Sequence, residues 1–186
     1  MKRLLPVLLL LLACLAWSCN KSFNPDRKGM EQLYQVLEKK FGAGAWYNSI
    51  ILVHDAAGDD MITVERAADP DKAMQEQWTW FHGFWEQKAD IELKCSGVQP
   101  RDFLFQLQNG NLQQMGKLAE QALRTLAADP ANGRGRLIMA GIERDNPSPE
   151  GAHHLAYTIQ LRNAAGVRYS YRYDEQGEPL PPAAQP

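Results

Sequence analysis

Two stretches of the chain repeat apolar residues at helical spacing. Residues 30–41 form the first stretch, with Asp26 ahead of it as an N-cap and Gly42 behind it as a stop signal. Residues 112–126 form the second, which ends before Pro130 because proline cannot continue a helix. The spacing predicts two amphipathic helices, each with one apolar face.

Shorter stretches alternate or run apolar in the way that β-strands do. They predict strands over residues 46–55, 61–66, 75–81, 84–94, 136–144, 155–161 and 167–173. Because Gly83 can adopt the positive φ of a tight turn, the third and fourth of these strands should form a hairpin. Strict alternation places Trp78 and Trp80 on one face of its first arm. It also places four residues on one face of its second arm: Trp85, Ala89, Ile91 and Leu93. Residues 100–109 fit either a strand or a hydrophobic turn.

The order of these elements is helix, strands, helix, strands. This order predicts an α+β fold, with antiparallel strands and two amphipathic helices packed on one face of the sheet or sheets. We expect one domain over residues 29–178, built from two α-β-β-β(-β) halves at 29–109 and 110–178. Residues 179–186 contain four prolines and should be a disordered tail. The element order over residues 26–180 resembles the tandem modules of PepSY-like and beta-lactamase-inhibitor-like envelope proteins, and no binding residue is carried over from that resemblance.

The first residues have the pattern of an export signal. Lys2 and Arg3 precede an apolar run over residues 4–17, and Ser18 and Cys19 end it. As a helix, about 14 residues would span only ~21 Å, which is short of the ~30 Å hydrocarbon core of a bilayer. The pattern therefore predicts a signal peptide over residues 1–18, with a buried core helix as the alternative.

Ser18-Cys19 resembles the lipobox of bacterial lipoproteins, although Ala16 and Trp17 stand where that family prefers leucine and a small residue. The resemblance implies that a lipid is attached to Cys19, that signal peptidase II cleaves before it, and that the new N-terminus is acylated with a fatty acid such as palmitate. Cys14 is a rival lipidation site, but it would follow a very short signal. An ordinary cleaved secretory signal is the remaining alternative.

The lipobox resemblance also implies a location. Residues 19–28 are polar and would be the lipid-anchored tether. In lipoproteins of the enterobacterial kind, asparagine rather than aspartate after the cysteine implies sorting to the outer membrane, and Asn20 occupies that place. We therefore expect a protein of the bacterial cell envelope, anchored by lipid on the periplasmic or surface side.

Composition and charge narrow the class further. The chain is 45% hydrophobic and 23% charged with a net charge of −2, which is typical of a folded domain and unlike a disordered chain or a nucleic-acid binder. Cleavage after residue 18 would remove Lys2 and Arg3, and no basic cluster remains along the sequence to bind anionic lipid. With Cys14 lost and Cys19 lipidated, Cys95 would stand alone, so we expect no intramolecular disulfide.

Residues that carry chemistry are scattered. The sequence contains no His-x-x-x-His or Cys-x-x-Cys spacing and no Gly-x-Ser-x-Gly elbow. Of the histidines at 54, 82, 153 and 154, the adjacent His153 and His154 would point to opposite faces of a strand. We therefore predict no catalytic residue, no metal site and no cofactor.

Five aromatic residues within eight positions are the most unusual local feature: Trp78, Trp80, Phe81, Phe84 and Trp85. One interpretation packs the tryptophans beneath a helix and leaves a small cluster at the hairpin tip. The other is an exposed aromatic edge that binds an envelope protein, peptidoglycan or a glycan through Trp80, Phe81, Phe84 and Trp85.

Together these patterns predict a lipid-anchored envelope protein with a non-enzymatic, binding or structural role, acting through a sheet face or the hairpin tip. The alternative is an envelope hydrolase or small-ligand-binding protein with a pocket between the two halves. That alternative requires His54 or His153 to meet carboxylates or Cys95 in one cleft.

Overall fold

The computed structural model describes residues 22–55, 57–95, 98–144 and 154–181, which form two α-helices, one short 3₁₀ helix and nine strands. Helix α1 is Arg27–Phe41 and helix α2 is Asn109–Ala128. The longer strands are β1 (Trp46–His54), β2 (Asp60–Ala67), β3 (Met74–Phe81), β4 (Phe84–Glu92), β6 (Arg136–Arg144), β7 (Leu155–Arg162) and β8 (Arg168–Tyr173). Two short strands are β5 (Phe105–Gln106) and β9 (Pro179–Leu180).

All nine strands form one antiparallel sheet in the order β4-β3-β2-β1-β6-β7-β8-β9, with β5 paired to the first residues of β1. The predicted mixed α+β class is confirmed. The ambiguous segment at 100–109 is divided, because Pro100–Phe103 is a 3₁₀ helix and β5 follows it.

The core lies between the helices and one face of the sheet. Helix α1 contributes Met30, Leu33 and Leu37, and α2 contributes Leu112, Met115, Leu118, Ala122 and Leu126. They pack on strand residues that alternate toward them: Ile50, Leu52, Ile62, Val64, Ala140, Ile142, Ile159 and Leu161. Each fully buried leucine or isoleucine stabilises the fold by about 1.5–3 kcal/mol. Both helices therefore lie on one face, and no described helix covers the other, which we call the open face.

A bulge in β4 corrects one prediction from alternation. Trp80 pairs with Trp85, and Gln77 pairs with Ala89. Between these two pairs, β4 therefore contains one residue more than β3. The extra residue is Lys88, which reverses the faces that follow it. Trp85 therefore lies on the helix side with Trp80, whereas Ala89 and Ile91 lie on the open face. Strict alternation cannot reveal such a bulge.

The two chain ends differ from the predicted boundaries. Asp26 caps α1 as expected, with its side chain accepting a hydrogen bond from the Gly29 backbone N–H at 2.8 Å. However, Phe23, which was placed in the tether, is fully buried in the core. At the other end, Pro179–Leu180 pairs with β8, so the predicted tail cannot begin at residue 179.

Several predictions concern residues that the structure does not describe. The signal peptide, Cys14, Cys19 and Asn20 lie outside the described residues, as do His153 and residues 182–186. Within the described part of the chain, neither helix is long and apolar enough to cross a membrane.

Candidate functional site

The β3–β4 hairpin ends in an exposed aromatic pair. His82 and Gly83 form its turn with φ values of 49° and 89°, the left-handed conformation that a two-residue hairpin requires. Phe81 and Phe84 face each other across the strands, and their side chains are 43% and 78% exposed. They stay exposed because β4 is the edge strand and both rings point to the open face.

The two tryptophans predicted to join this pair are placed differently. Trp80 is buried, and its ring meets the ring of Phe23 edge to face with centroids 5.2 Å apart. Trp85 is half-buried against Phe41, with ring centroids 4.9 Å apart. Alternation along β3 turns Trp80 toward the helices, so its ring belongs to the core, and Phe81 and Phe84 form the exposed part of the predicted set.

An apolar row continues from this pair across the open face. Direct cross-strand partners link Phe84 to Phe81, Phe81 to Met61, Met61 to Val53 and Val53 to Met139. Directly opposed residues share a face and bring their Cβ atoms to about 5 Å. These five side chains, which we call the apolar row, therefore form one continuous band over β4, β3, β2, β1 and β6.

Three arginines form a second row beside the apolar row. Arg136 opposes Arg162, and Arg162 opposes Arg168, on β6, β7 and β8. Because Leu137 and Leu161 next to them face the helices, this arginine row lies on the open face. It occupies the end of the sheet at which the β3–β4 hairpin turns.

The arginine row has little acidic compensation. The Arg136 guanidinium donates a hydrogen bond to the backbone carbonyl of Asp55 at 3.2 Å. Within the described ranges, Arg162 and Arg168 form no ion pair, and the Arg162 Nε atom is buried without a hydrogen-bond partner. Like charges directly opposed across strands are destabilising, so this arrangement favours an external anion.

The N-terminal segment is attached at the same end of the sheet. The Phe23 backbone N–H donates a hydrogen bond to the buried carboxylate of Asp60, at the first position of β2. The other oxygen of Asp60 lies 2.6 Å from His54 Nδ1. Ser22, the residue before Phe23, is exposed.

Among the described residues, His54 and Asp60 form the one histidine–carboxylate pair in short contact. Cys95 and the other described histidines lie elsewhere. The His54 Nε2 atom is buried and has no hydrogen-bond partner among those residues. Cys95 and His154 lie near the opposite end of the sheet, beyond β4 and before β7. His82 is 4.0 Å from Asp59 at the hairpin turn. The pair therefore joins β1, β2 and the N-terminal segment.

The acidic turn between β1 and β2 is explained by local hydrogen bonds. The Asp55 carboxylate accepts the backbone N–H groups of Asp59 and Ala57, at 3.0 and 2.7 Å. These bonds, the one from Asp59 foremost, hold the pKa of Asp55 below its ordinary value. In the part of the chain that the structure describes, no group of three or more His, Cys, Asp or Glu could hold a metal ion.

A cavity of about 730 Å³ lies at the second half of the sheet, lined by its strands and by Gln121 and Thr125 of α2. Its lining includes Met139, Thr158, Gln160, Ser170 and Leu180 from four neighbouring strands. The cavity adjoins the apolar row at Met139, and its polar lining is mainly hydroxyl and amide groups. Hydroxyl and amide groups can donate and accept hydrogen bonds, and the lining also holds Glu143 and Arg172, which form an ion pair at 4.0 Å.

Sequence reasoning found the exposed phenylalanines but missed the arginine row and the role of Phe23. The three arginines are separated by 26 and 6 positions, so only strand register brings them together. Phe23 is a lone apolar residue in a polar stretch and has no periodic signal.

Comparisons with known proteins give no relative for this chain. No protein-family model matches it, no curated protein is similar to it, and no solved structure matches its fold.

Proposed function

We propose that this chain is a lipid-anchored protein of the bacterial cell envelope that acts by binding or as a structural component, without enzymatic activity. In this proposal Cys19 carries the lipid, the mature chain begins there, and the outer membrane is its destination. The proposal is carried by the leader, in which two basic residues and an apolar run end at Ser18-Cys19.

The path of the N-terminal segment supports a close connection between lipid and domain. Cys19 precedes Phe23 by four residues, which span at most about 14 Å when fully extended. Phe23 is fixed by its buried ring and by its hydrogen bond to Asp60. A lipid on Cys19 would therefore hold the domain directly at the bilayer surface, without the longer tether expected over residues 19–28.

The use of the polar groups supports a binding rather than a catalytic role. His54 and Asp60 contact each other and the N-terminal segment, and Cys95 lies at the far end of the sheet. The open face offers the aromatic and aliphatic side chains of the apolar row and the basic side chains of the arginine row, beside hydroxyl, amide and carboxylate groups such as those of Thr158, Gln160 and Glu143. These are the groups that interfaces use for contact and charge complementarity.

We also propose that the domain consists of two like halves. The sheet order β4-β3-β2-β1-β6-β7-β8-β9 supports this interpretation. β1 and β6 lie at its centre, and from each of them the next three strands of that half follow outward in chain order to an edge. A helix precedes each set of four strands. In this arrangement the two halves share one sheet and one core.

A second candidate function is favoured by the cavity of about 730 Å³ that is lined by β6–β9 and by Gln121 and Thr125 of α2. A cavity of this size is within the range of small-molecule sites. Its location on β6–β9 differs from the expected pocket between the halves. Under this alternative the protein would be a small-ligand carrier or receptor of the envelope.

The direct test of the main proposal is intact mass and membrane fractionation of the expressed protein, with Cys19→Ala as the variant. We expect the wild-type protein in the membrane fraction, labelled by radioactive palmitate and heavier than residues 19–186 by a diacylglyceryl group and an acyl chain. Cys19→Ala should lose the label and the cleavage. Cys95→Ala is the matched control and should keep both.

Two results would contradict this assignment in different ways. A wild-type product that is soluble and unacylated would refute the lipid anchor itself. Loss of the label in Cys14→Ala but not in Cys19→Ala would move the anchor to Cys14. Crosslinking of the membrane-extracted protein, followed by affinity capture, then tests whether one stoichiometric partner is bound.

A further inference from the structure

The apolar row and the arginine row both lie at one end of the open face. We call the surface formed by these two rows and the adjoining Val167 the rim. The apolar row crosses the β4 half of the sheet, and the arginine row crosses the β8 half two to three residues nearer the end. Strands in a sheet are about 4.8 Å apart, so the seven strands from β4 to β8 give the rim a width of about 29 Å.

Exposed apolar side chains are concentrated at this end. Four large hydrophobic residues of the described chain are strongly exposed: Met74, Phe81, Phe84 and Val167. Phe81 and Phe84 belong to the apolar row, and Val167 directly precedes Arg168 of the arginine row. Met74 alone lies at the opposite end, at the first position of β3. Three of the four strongly exposed hydrophobic side chains therefore lie at the rim.

The arginine row indicates what kind of surface the rim meets. Three guanidinium groups stand on neighbouring strands, and two carboxylates at the same end of the sheet are already hydrogen-bonded. Asp60 bonds to Phe23 and His54, and Asp55 bonds to backbone N–H groups of its own turn. A surface that supplies many anions together with apolar chains matches both rows, and a layer of anionic phospholipid has this composition.

The N-terminal segment connects this end with a bilayer. Phe23 contacts Trp80 on the helix side of β3, at the end of the sheet where Phe81 and Phe84 face the opposite side. At most about 14 Å of chain separates Phe23 from Cys19. A lipid held there would bring the bilayer to the rim rather than to the opposite end.

We propose that the rim is a second membrane-binding site, in which Phe81, Phe84 and Val167 enter the lipid interface and Arg136, Arg162 and Arg168 bind the phosphates of anionic lipids. This inference rests on the lipid anchor proposed above. It gives the anchored domain a fixed orientation, with the hairpin tip toward the lipid and the far end of the sheet toward the aqueous side. Aromatic rings are enriched at the membrane–water interface, and arginines near it add attraction to anionic headgroups.

The test uses the mature acylated protein in vesicles of phosphatidylcholine, with and without phosphatidylglycerol. Spin labels are placed in a Cys95→Ala background at His82→Cys, on the hairpin turn, and at Met74→Cys, the matched control at the opposite end. The measurement is the accessibility of each label to oxygen, which concentrates in lipid, relative to a water-soluble nickel chelate. We expect this ratio to be several-fold higher at position 82 than at position 74, and highest with phosphatidylglycerol.

Two double variants test the aromatic and the basic residues of the rim separately. Phe81→Ser with Phe84→Ser should bring the ratio at position 82 close to that at position 74. Arg162→Gln with Arg168→Gln should remove the dependence on phosphatidylglycerol. Arg101→Gln is the control for charge, because Arg101 pairs with Asp71 and lies against Trp46 at the opposite end. It should leave both ratios unchanged.

The possible failures are distinguishable. Equal ratios at positions 82 and 74, in protein that carries the acyl mass and floats with the vesicles, would refute the rim proposal and leave the anchor intact. A label at position 82 shielded from both reagents would show a protein contact instead of lipid and would also refute it. Protein without acyl mass that does not float would refute the anchor and the rim together.

Discussion

The substitution Phe23→Ala tests whether the segment before α1 is part of the folded domain. The Phe23 side chain is fully buried and packs edge-on against Trp80 with ring centroids 5.2 Å apart. Truncation of a buried phenylalanine to alanine typically costs about 3–5 kcal/mol, and the loss of an aromatic pair lies within that sum. This is a large fraction of the ~5–15 kcal/mol by which a domain is usually stable.

Urea denaturation of the mature protein, followed by tryptophan fluorescence, provides the measurement. With a slope of about 2 kcal/mol per molar urea, a loss of about 4 kcal/mol would lower the midpoint by about 2 M. Phe84→Ala is the matched control, because Phe84 is 78% exposed and its truncation should change stability by no more than about 0.5 kcal/mol. Equal midpoints for the two variants would refute the docking of Phe23, and with it the short connection proposed between Cys19 and the domain.

Two further predictions follow from local geometry. A Cβ atom at Gly29 would lie 2.1 Å from the backbone oxygen of Asn24, whereas one at Gly110 would meet nothing within 4 Å. Gly29→Ala should therefore destabilise the fold by about 2 kcal/mol or more, and Gly110→Ala should be neutral or stabilise it by up to about 1 kcal/mol, in the same urea assay. In the folded protein, the hydrogen bond from the Asp59 backbone N–H lowers the pKa of Asp55. The Asp55 carboxylate therefore stabilises the fold fully above the pKa that it has in the unfolded chain, and this contribution is lost as the pH falls through its pKa in the folded protein. Asp55→Asn should weaken the dependence of stability on pH in this acidic range, and an NMR titration that gives Asp55 an ordinary pKa would contradict the expectation.

The orientation proposed for the domain has a consequence for its partners. If the rim lies on lipid, the cavity at β6–β9 and the exposed edge of β4 remain accessible from the side. A soluble or peptidoglycan partner would then approach parallel to the membrane, and the helix face would remain turned away from the rim. The crosslinking experiment on the membrane-extracted protein can test this, because crosslinks should concentrate on the sides of the sheet.

Local sequence signals predicted the elements that depend on neighbours along the chain. The helices follow from apolar spacing, the start of α1 from Asp26, and the β3–β4 turn from Gly83. In each case the physical cause lies within a few residues, since a cap, a turn or an amphipathic face is completed by nearby backbone and side chains. Phe81 and Phe84, two members of the predicted aromatic edge, are exposed because an apolar pair beside a tight turn at the sheet edge has few neighbours to cover it.

Only the tertiary structure decided which distant residues share a surface. The bulge at Lys88 shifts the later residues of β4 to the other face, and the register of β6, β7 and β8 aligns three arginines from separate segments. Phe23 became a core residue because Asp60 and Trp80 lie where the N-terminal segment passes. Strand register and packing of this kind depend on long-range contacts, whose energies appear only when the whole sheet has formed. The sequence by itself therefore determined the helices and most of the strands, while the tertiary structure determined which distant residues share one face and one end of the sheet.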